Sequence, residues 1–163
     1  MTLTTNLSIG IATTLSKALD HSSPQAQIVK NLTTALTNVL ADQVFADNRT
    51  LSASTSEDLD LAGSLTNALG DTITFASIKA IIIKAGDANG GNMTIGGAAS
   101  NAFEAWTMAA GDGVLLRPGG TFVLIAPTAS DYAVTATTAD LLKIANLDGA
   151  AAATYDIYLI GKE

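Results

Sequence analysis

A chain of 163 residues that is 48% hydrophobic and only 14% charged is long enough for one domain with its own core and carries less charge than the roughly 25% of ordinary soluble domains. The absence of cysteine excludes a disulfide framework, a thiolate metal site and a cysteine nucleophile. Eight Lys and Arg against fifteen Asp and Glu give a net charge of −7, with no basic cluster, so direct binding to nucleic acid is not expected: neutralising phosphates takes several cations on one face.

A mean hydropathy of +0.34 is high for a chain exposed on all sides and points to burial against partners. No stretch reaches the roughly 18 to 20 consecutive apolar residues of a spanning helix. The first basic residue is Lys17, which does not fit the basic-then-apolar pattern of a secretory signal. Neither a membrane nor an export route is expected.

In chain order, Leu3, Leu7, Ile9, Ile11 and Leu15 all occupy odd positions, with Thr, Asn, Ser, Gly and Ala between them. That is the period of a strand with one dry face, either continuous or bent at Gly10. Ser22-Ser23-Pro24 ends it. Residues 28–45 admit two readings. Ile28, Leu32, Leu36, Leu40 and Val44 recur every four residues behind a Ser23 cap and Pro24, as in a short helix. Asn31, Thr33, Thr34, Thr37 and Asn38 are poor helix-interior residues, and 28–36 also reads as a strand with even positions inward.

Beyond Asn48 the strand signals become regular. Residues 51–61 alternate, Ala62-Gly63 turns, and 72–84 follows. Within it Lys79-Ala80-Ile81-Ile82-Ile83-Lys84 is apolar on both faces, which predicts a central strand covered on both sides with a lysine at each end. The run from Gly86 to Gly91 and the type II sequence Arg117-Pro118-Gly119-Gly120 predict hairpins, onto residues 92–96 and between 114–116 and 121–126. Residues 132–136, 141–146 and 154–160 complete the set, with Asp148-Gly149 turning the last pair. Short strands at roughly 8 to 12 residue spacing with Gly and Pro turns indicate an all-β fold, a β-sandwich or jelly roll. The expected division is an N-terminal strand or arm over residues 1–24 and a sandwich over 25–163, one domain overall. No fixed-period repeat is present.

The search for chemistry returns no catalytic, cofactor-binding or metal-binding set. His21, the one histidine, lies beside Asp20 in a Ser- and Pro-rich break without a nucleophile signature, which fits a solvated loop. In the alternation around Glu57, Asp58 and Asp60, the two aspartates share a face opposite Leu59 and Leu61, as on a solvated strand rather than a cation site. Asp87, Asn89 and Asn92 surround glycines, but no Gly-Lys-Ser or Gly-Lys-Thr follows, so a turn is expected. Phe103 and Trp106, in an Ala-, Ser- and Asn-rich stretch, are either contact residues of an interface or the lining of the sandwich's own end. With Leu3, Leu7, Ile9 and Ile11 of the arm they form the expected subunit interface.

Residues 49–63, 72–81, 95–101, Arg117-Pro118-Gly119-Gly120, Tyr132-Ala133-Val134 and Tyr155-Asp156-Ile157-Tyr158-Leu159-Ile160-Gly161 together resemble a family of small virion structural proteins of tailed bacteriophages. The likeness covers about the last two thirds of the chain; residues 1–48 match less well. The resemblance implies an all-β accessory component of the particle, assembled in the bacterial host cytoplasm, with no enzymatic activity, no cofactor and no catalytic residue to carry over. The expected role is a capsid decoration or cement protein, held on the major capsid protein as a homo-oligomer, a trimer at local threefold positions. The alternative is a receptor- or glycan-binding module of a head fibre or tail.

Overall fold

The computed structural model describes residues 3–37, 40–63, 65–109 and 111–163. The first two residues of the expected arm, and residues 38 and 39 of the stretch with a helical alternative, lie outside the described residues. The fold is all-β, with no helix among the described residues.

Two strands, β1 (Thr5–Ser16) and β2 (Gln25–Leu36), pair only with each other and form a long hairpin. Residues 28–36 therefore take the extended alternative. An apolar spacing of four fits a strand as well as a helix, because four is a multiple of two, and the pairing of Leu32 with Ile9 decides the matter. The arm consequently runs to Leu36 rather than ending at residue 24.

The remaining chain is a sandwich. Its first sheet orders β3 (Gln43–Leu51), β13 (Ala153–Lys162), β7 (Ser77–Ala85) and β10 (Thr121–Ile125), with β11 (Tyr132–Ala133) extending the β10 edge along β7. The second orders β4 (Ser56–Asp60), β12 (Leu141–Asn146), β8 (Met93–Gly96) and β9 (Gly113–Leu116). A small hairpin of β5 (Leu65–Thr66) and β6 (Thr72–Ile73) stands between β4 and β7. Leaving out the arm, this small pair and β11, the eight strands counted along the chain lie as first, eighth, third and sixth in one sheet and second, seventh, fourth and fifth in the other. That is jelly-roll order.

This topology corrects the expected hairpins. Gly119 adopts φ +70° and Gly120 N–H donates to the Arg117 carbonyl at 2.8 Å, so the turn is there. It carries the chain from β9 in one sheet to β10 in the other. A type II turn splays its flanking strands where a hairpin needs the twist of a primed turn. The connections through residues 86–92 and through Asp148-Gly149 cross between sheets in the same way. The run 51–61 is likewise two strands, broken where Ser54 adopts φ +54°.

Between the sheets, Met93, Ile95, Leu142 and Ile144 meet Ile81, Ile83, Ile157 and Leu159, all fully buried. Each contributes about 1.5–3 kcal/mol by leaving water. The central position of β7 is as expected, but its first lysine is not a solvent marker. Lys79 is 2% exposed, and its ammonium donates to the carbonyls of Thr128 and Ser130 at 2.9 and 2.8 Å, with Asp131 at 3.6 Å. A loop folded over the sheet's outer face thus solvates the charge. Lys84, at the other end, is exposed.

The ladder between β13 and β7 shifts register at Ile160 and Gly161. A Cβ at Gly161 would run into the Ser77 carbonyl and stand 2.7 Å from Phe75 Cδ1. Gly161→Ala is therefore expected to destabilise the fold by about 1–3 kcal/mol, the usual range for overpacking. Chemical denaturation should show this as a lower midpoint at constant slope; an unchanged midpoint means that the bulge yields.

Candidate functional site

Among the described residues, seven of the thirteen large apolar side chains left exposed lie on the arm. Residues directly opposite in an antiparallel ladder share a face, so Leu7, Ile9, Ile11 and Leu15 of β1 lie beside Leu32, Ile28 and Ala26 of β2. The opposite face carries Asn6, Ser8, Thr14, Gln25, Gln27, Asn31 and Thr33, with Val29 as its one large apolar side chain. The twelve paired positions extend about 40 Å at roughly 3.4 Å per residue.

Only the root of this ribbon is covered. Leu36 is buried with Ala41, Ala80 and Ile160, and Leu3, Leu7, Leu40, Val44 and Ile125 pack around them. Farther out, Leu15 is 71%, Ile28 66% and Leu32 51% exposed. A free two-stranded ribbon is marginally stable in water, and contiguous exposed apolar surface marks an interaction site. The tip, where Leu19 bridges Ser22, holds His21 in the open. Residues 1–37 carry Lys17 and Lys30 against Asp20, a balance of +1, which leaves −8 on the rest of the −7 chain.

The structure divides the six expected interface residues. Leu3 and Leu7 serve the root, and Ile9 and Ile11 lie on the exposed face. Phe103 is 2% exposed and belongs to the sandwich core, which removes it from any interface. Trp106 packs against that core, its indole N–H donating to the Phe103 carbonyl at 3.0 Å and its ring 5.4 Å from that of Phe122. Beside it opens a shallow cleft of about 330 Å³ flanked by Met108, Val114 and Leu124. What the sequence reading left undecided is the second half of the arm face, Ile28 and Leu32, although their even spacing carried the signal.

The acidic stretch also divides. Asp58 is exposed and Asp60 half-buried, accepting from the Ala62 amide at 2.9 Å. Glu57 shares the parity of Leu59 and turns inward. It accepts from the Tyr155 hydroxyl at 2.7 Å and from Arg49 Nε at 2.8 Å, and Arg49 also pairs with Asp47. Tyr155 and Arg49 are direct partners across the β13–β3 ladder. This polar group sits where β3 and β4, the two edge strands at one side of the sandwich, face each other across the sheets. Its one cation, Arg49, bridges two carboxylates, which leaves the group with a net charge of −1. Asn89 has a structural role: it accepts from the Thr154 amide and donates to the Thr154 carbonyl, both at 2.9 Å, so it pins the expected turn. Among the described residues, no group of three or more His, Asp or Glu is placed to hold a metal ion, and no helix is long and apolar enough to cross a membrane.

Comparison with protein-family models, with curated proteins and with solved structures returns no match.

Burial, followed by the bond to Glu57, pushes the Tyr155 hydroxyl well above the ordinary tyrosine range. The folded state therefore favours neutral Tyr155. Its contribution is complete below the unfolded value of about 10 and is lost as pH rises above it. Tyr155→Phe is expected to cost about 1–2 kcal/mol at neutral pH and to flatten the loss of stability above about pH 10; parallel curves for the two proteins would count against this. A second prediction concerns the arm. Leu7 and Thr34 are opposite partners of the same parity as the doubly bonded Leu19–Ser22 pair, so an Asn-Gly turn can join them in place of residues 8–33. The deleted side chains are mostly exposed, and the sandwich is expected to keep its stability within about 1 kcal/mol, measured by thermal unfolding.

Proposed function

We propose that this chain is an accessory structural protein of a tailed-phage virion, a capsid decoration or cement protein that binds the shell as a homo-oligomer and has no catalytic role. The arm carries the reading. A jelly roll whose surface is poor in charge extends an apolar ribbon that its own body leaves uncovered, as suits a part held in place by neighbours. The stretches that resemble phage virion proteins agree with it, although fold alone does not assign function. The mechanism is mass action. A protein that binds only the assembled shell stabilises it by its binding free energy, about 2.7 kcal/mol when free protein exceeds Kd a hundredfold.

A second reading rests on the cleft beside Trp106, where Met108 is fully exposed. An aromatic ring and a flexible thioether on a loop suit contact with a glycan or a receptor. Location separates the two. A reconstruction of the particle should show many copies spread over the shell, and particles stripped of the protein should release their genome at a lower temperature. A few copies at a single vertex or on the tail would favour attachment, and unchanged heat resistance after stripping would overturn cementing.

A further inference from the structure

The surface that seats the arm's root continues beyond it on the same sheet. The root residues Leu3, Leu7 and Leu36 pack with Ala80, Ile160, Val44 and Ile125, which form one row across the outer face of the first sheet. The ladder registers place the next outward row at Val123, Ile82, Tyr158 and Ala46. This row continues the surface that the arm already uses. It is left open: Tyr158 is 46% and Val123 37% exposed. The arm of the same chain does not cover it: from Ile9 outward the arm's apolar face stands clear of the body.

We infer that the arm of one copy docks, apolar face down, on the Val123–Ile82–Tyr158 row of a second copy. Charge supports a second copy as the occupant. The arm's balance is +1 and that of the remainder −8. The apolar face of the arm is interrupted by one cation, Lys30, opposite Ile11. On the sheet, the outward residue before Tyr158 in β13 is Asp156, which accepts from the Asn48 side-chain amide at 2.7 Å and lies opposite Lys84. Packing arm on arm would instead set two surfaces of the same sign together, with only Asp20 at the tip to offset Lys17 and Lys30 of each arm. Exchanged reciprocally, the arm-to-sheet contact gives a dimer, and repeated head to tail it gives a ring where the rotation closes. It forms with or without a shell, so it stands apart from the virion reading.

The test uses the absence of native cysteine. Full-length Ile28→Cys and Tyr158→Cys proteins are prepared separately, allowed to exchange subunits and treated with a short bis-maleimide. The mixture is expected to give a covalent arm-to-sheet product in at least about tenfold higher yield than either protein alone, the margin that a 1.4 kcal/mol preference would provide. Equal cross-linking of Ile28→Cys with itself, or no mixed product, overturns the inference. Sedimentation gives an independent reading: the wild-type chain is expected to be oligomeric, and Tyr158→Lys monomeric with its melting temperature retained. A Tyr158→Lys protein that remains oligomeric counts against the docking row. A wild-type chain that is monomeric alone but binds isolated shells through its arm overturns the second-copy assignment and leaves shell binding, without the homo-oligomer, standing.

Discussion

The position of β13 inside the first sheet is the constraint on which the other features depend. It pairs with β3 on one side and β7 on the other, so its alternation serves two surfaces at once. Inward, Tyr155, Ile157 and Leu159 close the core. Outward, Ile160 seats the root of the arm and Tyr158 lies open beside it. A β-bulge in β7, where Lys79 is the extra residue opposite Ile160 and Gly161, keeps β13 paired almost to its end, and a side chain at Gly161 would run into Phe75 and the Ser77 carbonyl. A glycine at that place is a steric requirement.

Sequence patterns made the dry faces legible and left the pairings open. Alternation set Leu59 and Leu61 on the face opposite Asp58 and Asp60, and both leucines are buried. Gly and Pro located the turns at 86–91, 117–120 and 148–149. What a period of two cannot state is which sheet a strand joins, since a strand buried on one face satisfies either layer. Adjacent strands were therefore read as hairpins where the jelly roll sends them to opposite sheets.

The candidate site was legible in the same partial way. The odd-numbered stripe of β1 was evident because nothing competed with that period. The matching stripe of β2 was confounded by a spacing common to both periodicities, and only its partner strand resolves it. Phe103 and Trp106, neighbours in sequence and similar in chemistry, part company because one inserts between the sheets while the other covers it from outside. Lys79 shows the limit of residue type as a guide. A lysine reads as solvent-exposed until a loop nearly fifty residues later, 49 from Lys79 to Thr128, supplies carbonyls for it.

The crossing connections also set a timetable. Gln43 meets Gly161 across the first sheet and Leu59 meets Leu142 across the second, so both layers wait on distant segments. Folds dominated by such separations form over about milliseconds to seconds. The arm is the opposite case, since Ser16 pairs with Gln25 and the ladder can zip from there, and a hairpin closes within about 1–10 μs. The ribbon can thus close and reopen many times on a chain whose sandwich is still open, and it is held only once Ala80 and Ile160 come together to seat its root.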